Sequence, residues 1–106
     1  MTHLTIEDSE CSIVSIGGIL SYTTAEQLER ELINRLQTWH TTELFIDMAQ
    51  VRFMDSAGLF SLVHVLDHAK PLGKELVLER IPPCVGLMLN ITGFKTMFTV
   101  SDMSLL

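Results

Sequence analysis

Apolar positions along the chain fall into short β-type runs separated by longer stretches with a three-to-four-residue repeat. Leu4–Ile6 and Ser12–Ile16 read as two short strands, the second alternating only loosely before Gly17-Gly18 breaks it. Ser21-Tyr22-Thr23-Thr24 leads into a first helix, where Thr23 with Glu26, or Thr24 with Gln27, has capping-box spacing. Leu28, Leu32 and Leu36 recur every fourth residue beside Ala25 and Ile33, while Glu26, Glu29, Arg30 and Gln37 fall mostly off that stripe. Leu44-Phe45-Ile46 is a continuous apolar run suited to a strand covered on both faces, with Asp47 as its end. Val51 to Asp55 is then expected as a loop into a second helix from about Ser56 to Leu72, closed by Pro71 and Gly73. Its inward stripe is Leu59, Leu62, Val63, Leu66 and Ala69. Leu76-Val77-Leu78 repeats the buried-strand pattern, and Pro82-Pro83 opens a third helix through Leu87, Leu89 and Ile91. Gly93 stops it, and Phe98–Val100 reads as a last strand. Strands alternating with helices need crossover connections, which predicts one α/β domain with a largely parallel or mixed sheet and an antiparallel or mixed edge.

Length and composition narrow the function. With 106 residues the chain fits one domain, its core expected over about residues 4–100. A 47% hydrophobic content supplies a core, and 19% charged residues is too few for a disordered chain. Seven basic residues against 13 acidic ones leave a formal charge of −6. That balance argues against direct nucleic-acid binding and against a polybasic membrane contact, so a protein partner is expected. The first 20 residues lack a basic start followed by an apolar run, and no stretch is long enough to insert into a membrane. Cys11 and Cys84 form no CxxC pair, which suits a reducing cytoplasm and two free, partly buried thiols.

The most informative stretch is Phe53-Met54-Asp55-Ser56-Ala57-Gly58-Leu59. It sets a serine at the start of a helix, where unpaired N–H groups and the macrodipole favour an anion such as a phosphate. Gly58 removes a Cβ from the first turn, so another backbone or a bulky modification can come close. Asp55 and Ser56 are equally at home as an ordinary helix cap, and these residues alone leave both readings open. His64 and His68 lie one helical turn apart, yet no HExxH motif or third ligand accompanies them, so solvated helix-face positions are expected and no metal. Asp55-Ser56-Ala57-Gly58 lacks the first glycine of a GxSxG nucleophile elbow, which argues against an enzyme. Met54, Met88 and Met97 read as core or groove fillers.

Three stretches together change the weight of these readings. They are Gly18-Ile19-Leu20-Ser21-Tyr22-Thr23-Thr24-Ala25, then Phe45-Ile46-Asp47-Met48 with Val51-Arg52-Phe53-Met54-Asp55-Ser56-Ala57-Gly58-Leu59, then Ile81-Pro82-Pro83-Cys84-Val85 with Ile91-Thr92-Gly93-Phe94 and Phe98. In this order and spacing the chain resembles a STAS domain of the bacterial anti-sigma-factor antagonist type. The resemblance implies a mixed four- to five-stranded sheet with helices packed against it, and no cofactor. It implies that Ser56 is phosphorylated by a partner anti-sigma factor that is also a serine protein kinase. A PP2C-type phosphatase would then restore binding. Ser21, Asp55, Ser56, Ala57, Gly58 and Phe60 would form the partner-binding surface. Two positions depart from the family pattern: Ser21 stands where many members have Asp, and Phe60 where Gly is common. Phe60 lies off the inward stripe, either tucked over a neighbouring loop or facing the partner. Two other readings belong beside this one. The domain could be a STAS scaffold or interaction subunit of a larger signalling or transporter complex. It could also bind a small anionic ligand or nucleotide at the helix start near Ser56, although Gly17-Gly18 is a weak phosphate-loop signal.

Overall fold

Every strand among the described residues joins a single sheet. The computed structural model describes residues 3–9 and 12–101. Strand β1 (Leu4–Ser9) pairs antiparallel with β2 (Ile13–Leu20), Leu4 facing Gly18 and Ser9 facing Ile13. From there the sheet is parallel, through β3 (Glu43–Met54), β4 (Glu75–Glu79) and the two-residue β5 (Thr99–Val100), in the order β1-β2-β3-β4-β5. Parallel neighbours need crossovers, and α1 (Ala25–Thr38), α2 (Ser56–Ala69) and α3 (Pro83–Thr92) supply them. Short 3₁₀ turns follow α2 at Lys70–Leu72 and α3 at Phe94–Met97. The α/β class and the antiparallel edge agree with the sequence reading.

One core lies between the sheet and its helices. Val14, Ile16, Ile46, Met48, Leu76 and Leu78 meet Leu28, Leu32 and Leu36 of α1, Leu59, Leu62 and Val65 of α2, and Val85 and Leu89 of α3. Because strand side chains alternate, the intervening residues turn the other way. Thr5, Glu7, Ser15, Asp47 and Gln50 line an open polar cleft of ≈ 580 Å³ there.

That open face accounts for three differences from the sequence reading. Asp47 does not end β3, and Val51 to Met54 is strand rather than loop, paired with the end of β2 up to Leu20 against Met54. A charged residue survives in mid-strand because its carboxylate is met. It accepts from Ser15 Oγ at 3.4 Å and the Ala49 amide at 3.0 Å, and the Arg80 guanidinium closes on both oxygens. Among the described residues the Leu44-Phe45-Ile46 run has helices on one side only. Leu44 and Ile46 are buried under helices, and Phe45 is half-buried on the other face. Nor does Gly17-Gly18 break β2. Gly18 has φ +85° and accommodates a register shift against β3, and a Cβ on it would stand 2.3 Å from the His3 carbonyl oxygen. These glycines let strands approach each other rather than stop.

The helices are closer to expectation. Leu28, Leu32 and Leu36 are buried. Neither capping box forms: Thr24 is the N-cap of α1 without a side-chain cap bond, because its hydroxyl donates to the Ile19 carbonyl at 2.8 Å and accepts the Ser21 amide at 3.0 Å. On α2 the buried stripe is rotated slightly from the one read, with Gly58, Ser61 and Val65 inside and Val63 half-buried. Pro83 starts α3 and Gly93, at φ +77°, ends it. Leu87 and Ile91 face solvent. Met54 is buried, Met88 packs against the core and Met97 is exposed. Cys84 is a free, half-buried thiol, and Cys11 lies outside the described residues.

Two tests follow from this packing. A Cβ on Gly58 would stand 2.2 Å from the Leu20 carbonyl oxygen, so Gly58→Ala should lower stability by about 1–3 kcal/mol in denaturant titration. Gly86→Ala on α3, where the nearest atom to a Cβ lies 3.9 Å away, should be neutral or stabilising by about 0.5–1 kcal/mol.

The second concerns Asp47. Burial opposes its ionisation, but the Arg80 guanidinium, the Ala49 amide and Ser15 outweigh it and hold the carboxyl below the ordinary 3.8. A folded-state pKa below the unfolded one adds stability above the ordinary value and loses it as pH falls through the folded value. Thermal melts should therefore show Asp47→Asn less stable than wild type at about pH 6, with the gap narrowing below about pH 3.5.

Candidate functional site

Strands β2 and β3 end side by side, and only Asp55 separates β3 from α2. Asp55 is extended (φ −106°, ψ −176°), as an N-cap should be, and it joins three segments at once. Its amide donates to the Leu20 carbonyl at 3.0 Å. One carboxylate oxygen accepts the Gly58 amide at 3.0 Å and the other accepts the Tyr22 amide at 3.3 Å. The α2 start is thereby fastened to the turn before α1. Gly58 completes the joint by letting the helix backbone lie against Leu20.

With Asp55 as the cap, Ser56 is left as the first helical residue. Its side chain is exposed, and its hydroxyl makes no hydrogen bond among the described residues. The amides of Ser56 and Ala57 also have no partner among the described residues, so two free donors sit beside that hydroxyl. The cap and the free serine, alternatives in the sequence, are both present on adjacent residues.

Asp55, Ser56, Ala57 and Gly58 thus form one continuous corner. Ser21 stands behind it: the residue is buried, its hydroxyl pairs with Thr23 Oγ1 at 2.8 Å, and its carbonyl accepts the Thr24 and Ala25 amides. It shapes the turn and offers little surface. Phe60 is 46% exposed, with its ring 5.8 Å from that of Phe94 and tilted by 60°. One part of the ring rests on the turn after α3 and the rest faces outward.

Several residues at this corner escaped the sequence reading. Tyr22 is 78% exposed beside Asp55. Glu26 and Glu29 of α1 face Phe60 and His64 of α2 across a groove of ≈ 490 Å³. The spacing Ser56, Phe60, His64 was the available signal, since residues four apart share a helix face. His64 Nδ1 lies 3.0 Å from Glu29 Oε1, and His68 Nδ1 contacts the His64 carbonyl. Among the described residues no group of three or more His, Cys, Asp or Glu is placed to hold a metal ion, and no helix is long and apolar enough to cross a membrane.

Known proteins share this architecture. A family model of the STAS domain matches residues 4–104. An anti-sigma-B factor antagonist of Staphylococcus epidermidis is 30% identical over 98 residues, covering 92% of this chain and 90% of that protein. The Staphylococcus aureus protein of the same name is 29% identical over 89 residues, covering 84% and 82%. Among solved structures, an anti-sigma factor antagonist from Mycobacterium paratuberculosis superposes with a TM-score of 0.77 at 21% identity, covering 96% of this chain and 86% of that one, a likeness of fold. The five-stranded mixed sheet with its crossover helices and these matches agree: the chain belongs to the STAS domain family, among its anti-sigma factor antagonists.

Proposed function

We propose that this chain is a phosphorylation-switched antagonist, binding a serine-kinase anti-sigma factor when Ser56 is unmodified and releasing it when Ser56 carries phosphate. The observation that carries the reading is the state of Ser56: exposed, unbonded and first in its helix, with Asp55 already serving as the cap. The names of the staphylococcal relatives support an anti-sigma factor as the partner. Asp55, Ala57 and Phe60 surround the contact, while the buried Gly58 seats the helix start against Leu20 and Ser21 supports it from behind. A PP2C-type phosphatase completes the cycle by removing the phosphate. The protein acts in the cytoplasm by binding rather than by catalysis.

The switch is local electrostatics. Phosphate adds roughly −1.5 to −2 charge and three acceptor oxygens. Within the domain that charge meets the free amides of Ser56 and Ala57 at the positive end of α2, a favourable term of about 0.3–1 kcal/mol. At an interface closed over a small hydroxyl the same group must be desolvated beside Asp55, which costs several kcal/mol. Intramolecular gain and intermolecular loss have opposite signs, and the second is larger. The fold survives modification while the complex does not.

Incubation with the cognate kinase and ATP should add one phosphate, at Ser56, by intact-mass and fragment spectra. Full modification persisting in Ser56→Ala would remove the assignment. In titration calorimetry Ser56→Asp should bind the kinase more weakly than wild type with a melting temperature nearly unchanged. Ser56→Ala should bind and resist release by ATP. Equal binding by wild type, Ser56→Asp and true phosphoprotein would exclude the switch.

A further inference from the structure

Next to Ser56 the surfaces of α1 and α2 part to leave the groove of ≈ 490 Å³. Ala25 and Ala57 keep it open because both are small, and the rings of Tyr22 and Phe60 stand at its walls, more exposed than core aromatics. Two carboxylates enter it, Glu26 and Glu29, and among the described residues no Lys or Arg lines it. Glu29 contacts His64, whereas Glu26 is exposed and has no side-chain partner among the described residues. Aromatic faces beside carboxylates that face no Lys or Arg in the groove suit one kind of side chain above others. A guanidinium is planar and weakly hydrated, so it can lie on a ring while its fork of donors reaches a carboxylate. An ammonium is more strongly hydrated and lacks the flat face. The chain's formal charge of −6 favours the approach of such a cation.

We infer that this groove receives an arginine-bearing segment of the same anti-sigma-factor partner, an inference that rests on the reading above and adds the chemistry of the contact. The groove and Ser56 divide the work. Ala57, next to Ser56, lines the groove, and Ser56, Phe60 and His64 share one face of α2, so a segment seated in the groove reaches the neighbourhood of the serine. Release cannot then come from repulsion of the partner's cation, which phosphate would attract. It comes from the bulk and hydration of the phosphate where the interface closes over a hydroxyl.

The test uses the full chain and, one at a time, each purified serine-kinase anti-sigma factor of the source genome. Titration calorimetry at about 50 mM and about 300 mM salt reads affinity and its salt dependence. For the kinase that binds wild type, Phe60→Ala and the double variant Glu26→Gln/Glu29→Gln should each weaken binding by roughly tenfold or more. The double variant should also lose most of the salt dependence, which a merely misfolded chain would not do selectively. Melts should show both variants folded. A kinase that binds wild type and both groove variants alike, yet is weakened by Ser56→Asp, overturns the groove while leaving the switch. Binding of wild type by none of the kinases overturns the antagonist reading and the groove with it. Sedimentation showing a wild-type dimer that Phe60→Ala dissociates, with kinase affinity unchanged, would make a second copy the occupant and overturn the inference.

Discussion

The corner of this molecule depends on the carboxylate of Asp55. One oxygen holds the first turn of α2 through Gly58, and the other holds the turn before α1 through Tyr22. Its amide binds the end of β2. A single residue therefore ties the start of one helix to the turn before another and to the end of β2 beneath them. Because the cap belongs to Asp55, the serine after it is relieved of structural duty. Were Ser56 the cap, its hydroxyl would be committed to a backbone amide and less available to react.

Tertiary contact decides which parts of this arrangement could be read from the chain. The leucine repeat of α1 and the Pro83 and Gly93 boundaries of α3 are local signals, and they survive folding unchanged. The Asp55 to Gly58 corner is contiguous in sequence, so its place at a helix start was visible too. Asp47, Gln50 and Arg52 resemble loop residues until it is known that one sheet face carries no helix among the described residues, so the sequence reading ends β3 too early. Gly17-Gly18 likewise resembles a stop until β1 and β3 are seen to press against it. The groove was invisible, since Glu26 and Glu29 meet Phe60 and His64 only once α1 and α2 lie side by side.

Polar residues are sorted by face in a way that explains both the stability and the surface of the domain. On the uncovered side, Asp47 and Arg80 satisfy each other across β3 and the end of β4, so charge in mid-sheet is tolerated. On the helical side, buried hydroxyls turn to the backbone: Thr24 bonds Ile19 and Ser61 bonds Gly58. Among the described residues no buried side-chain nitrogen or oxygen lacks a partner. At the exposed corner the Ser56 hydroxyl and the two amides beside it stay unspent among the described residues.

The one-residue junction between β3 and α2 has a consequence for how quickly and how tightly the corner can be engaged. A serine on a long loop would have to be ordered before a partner could close on it, and each immobilised residue would subtract from affinity. Here the serine opens a fourteen-residue helix, one residue after a twelve-residue strand, with no slack on either side. Its position is set before any encounter, so little configurational freedom remains to be lost on docking. Affinity then reflects the contacts themselves, and a single added group at this position is felt almost undiluted.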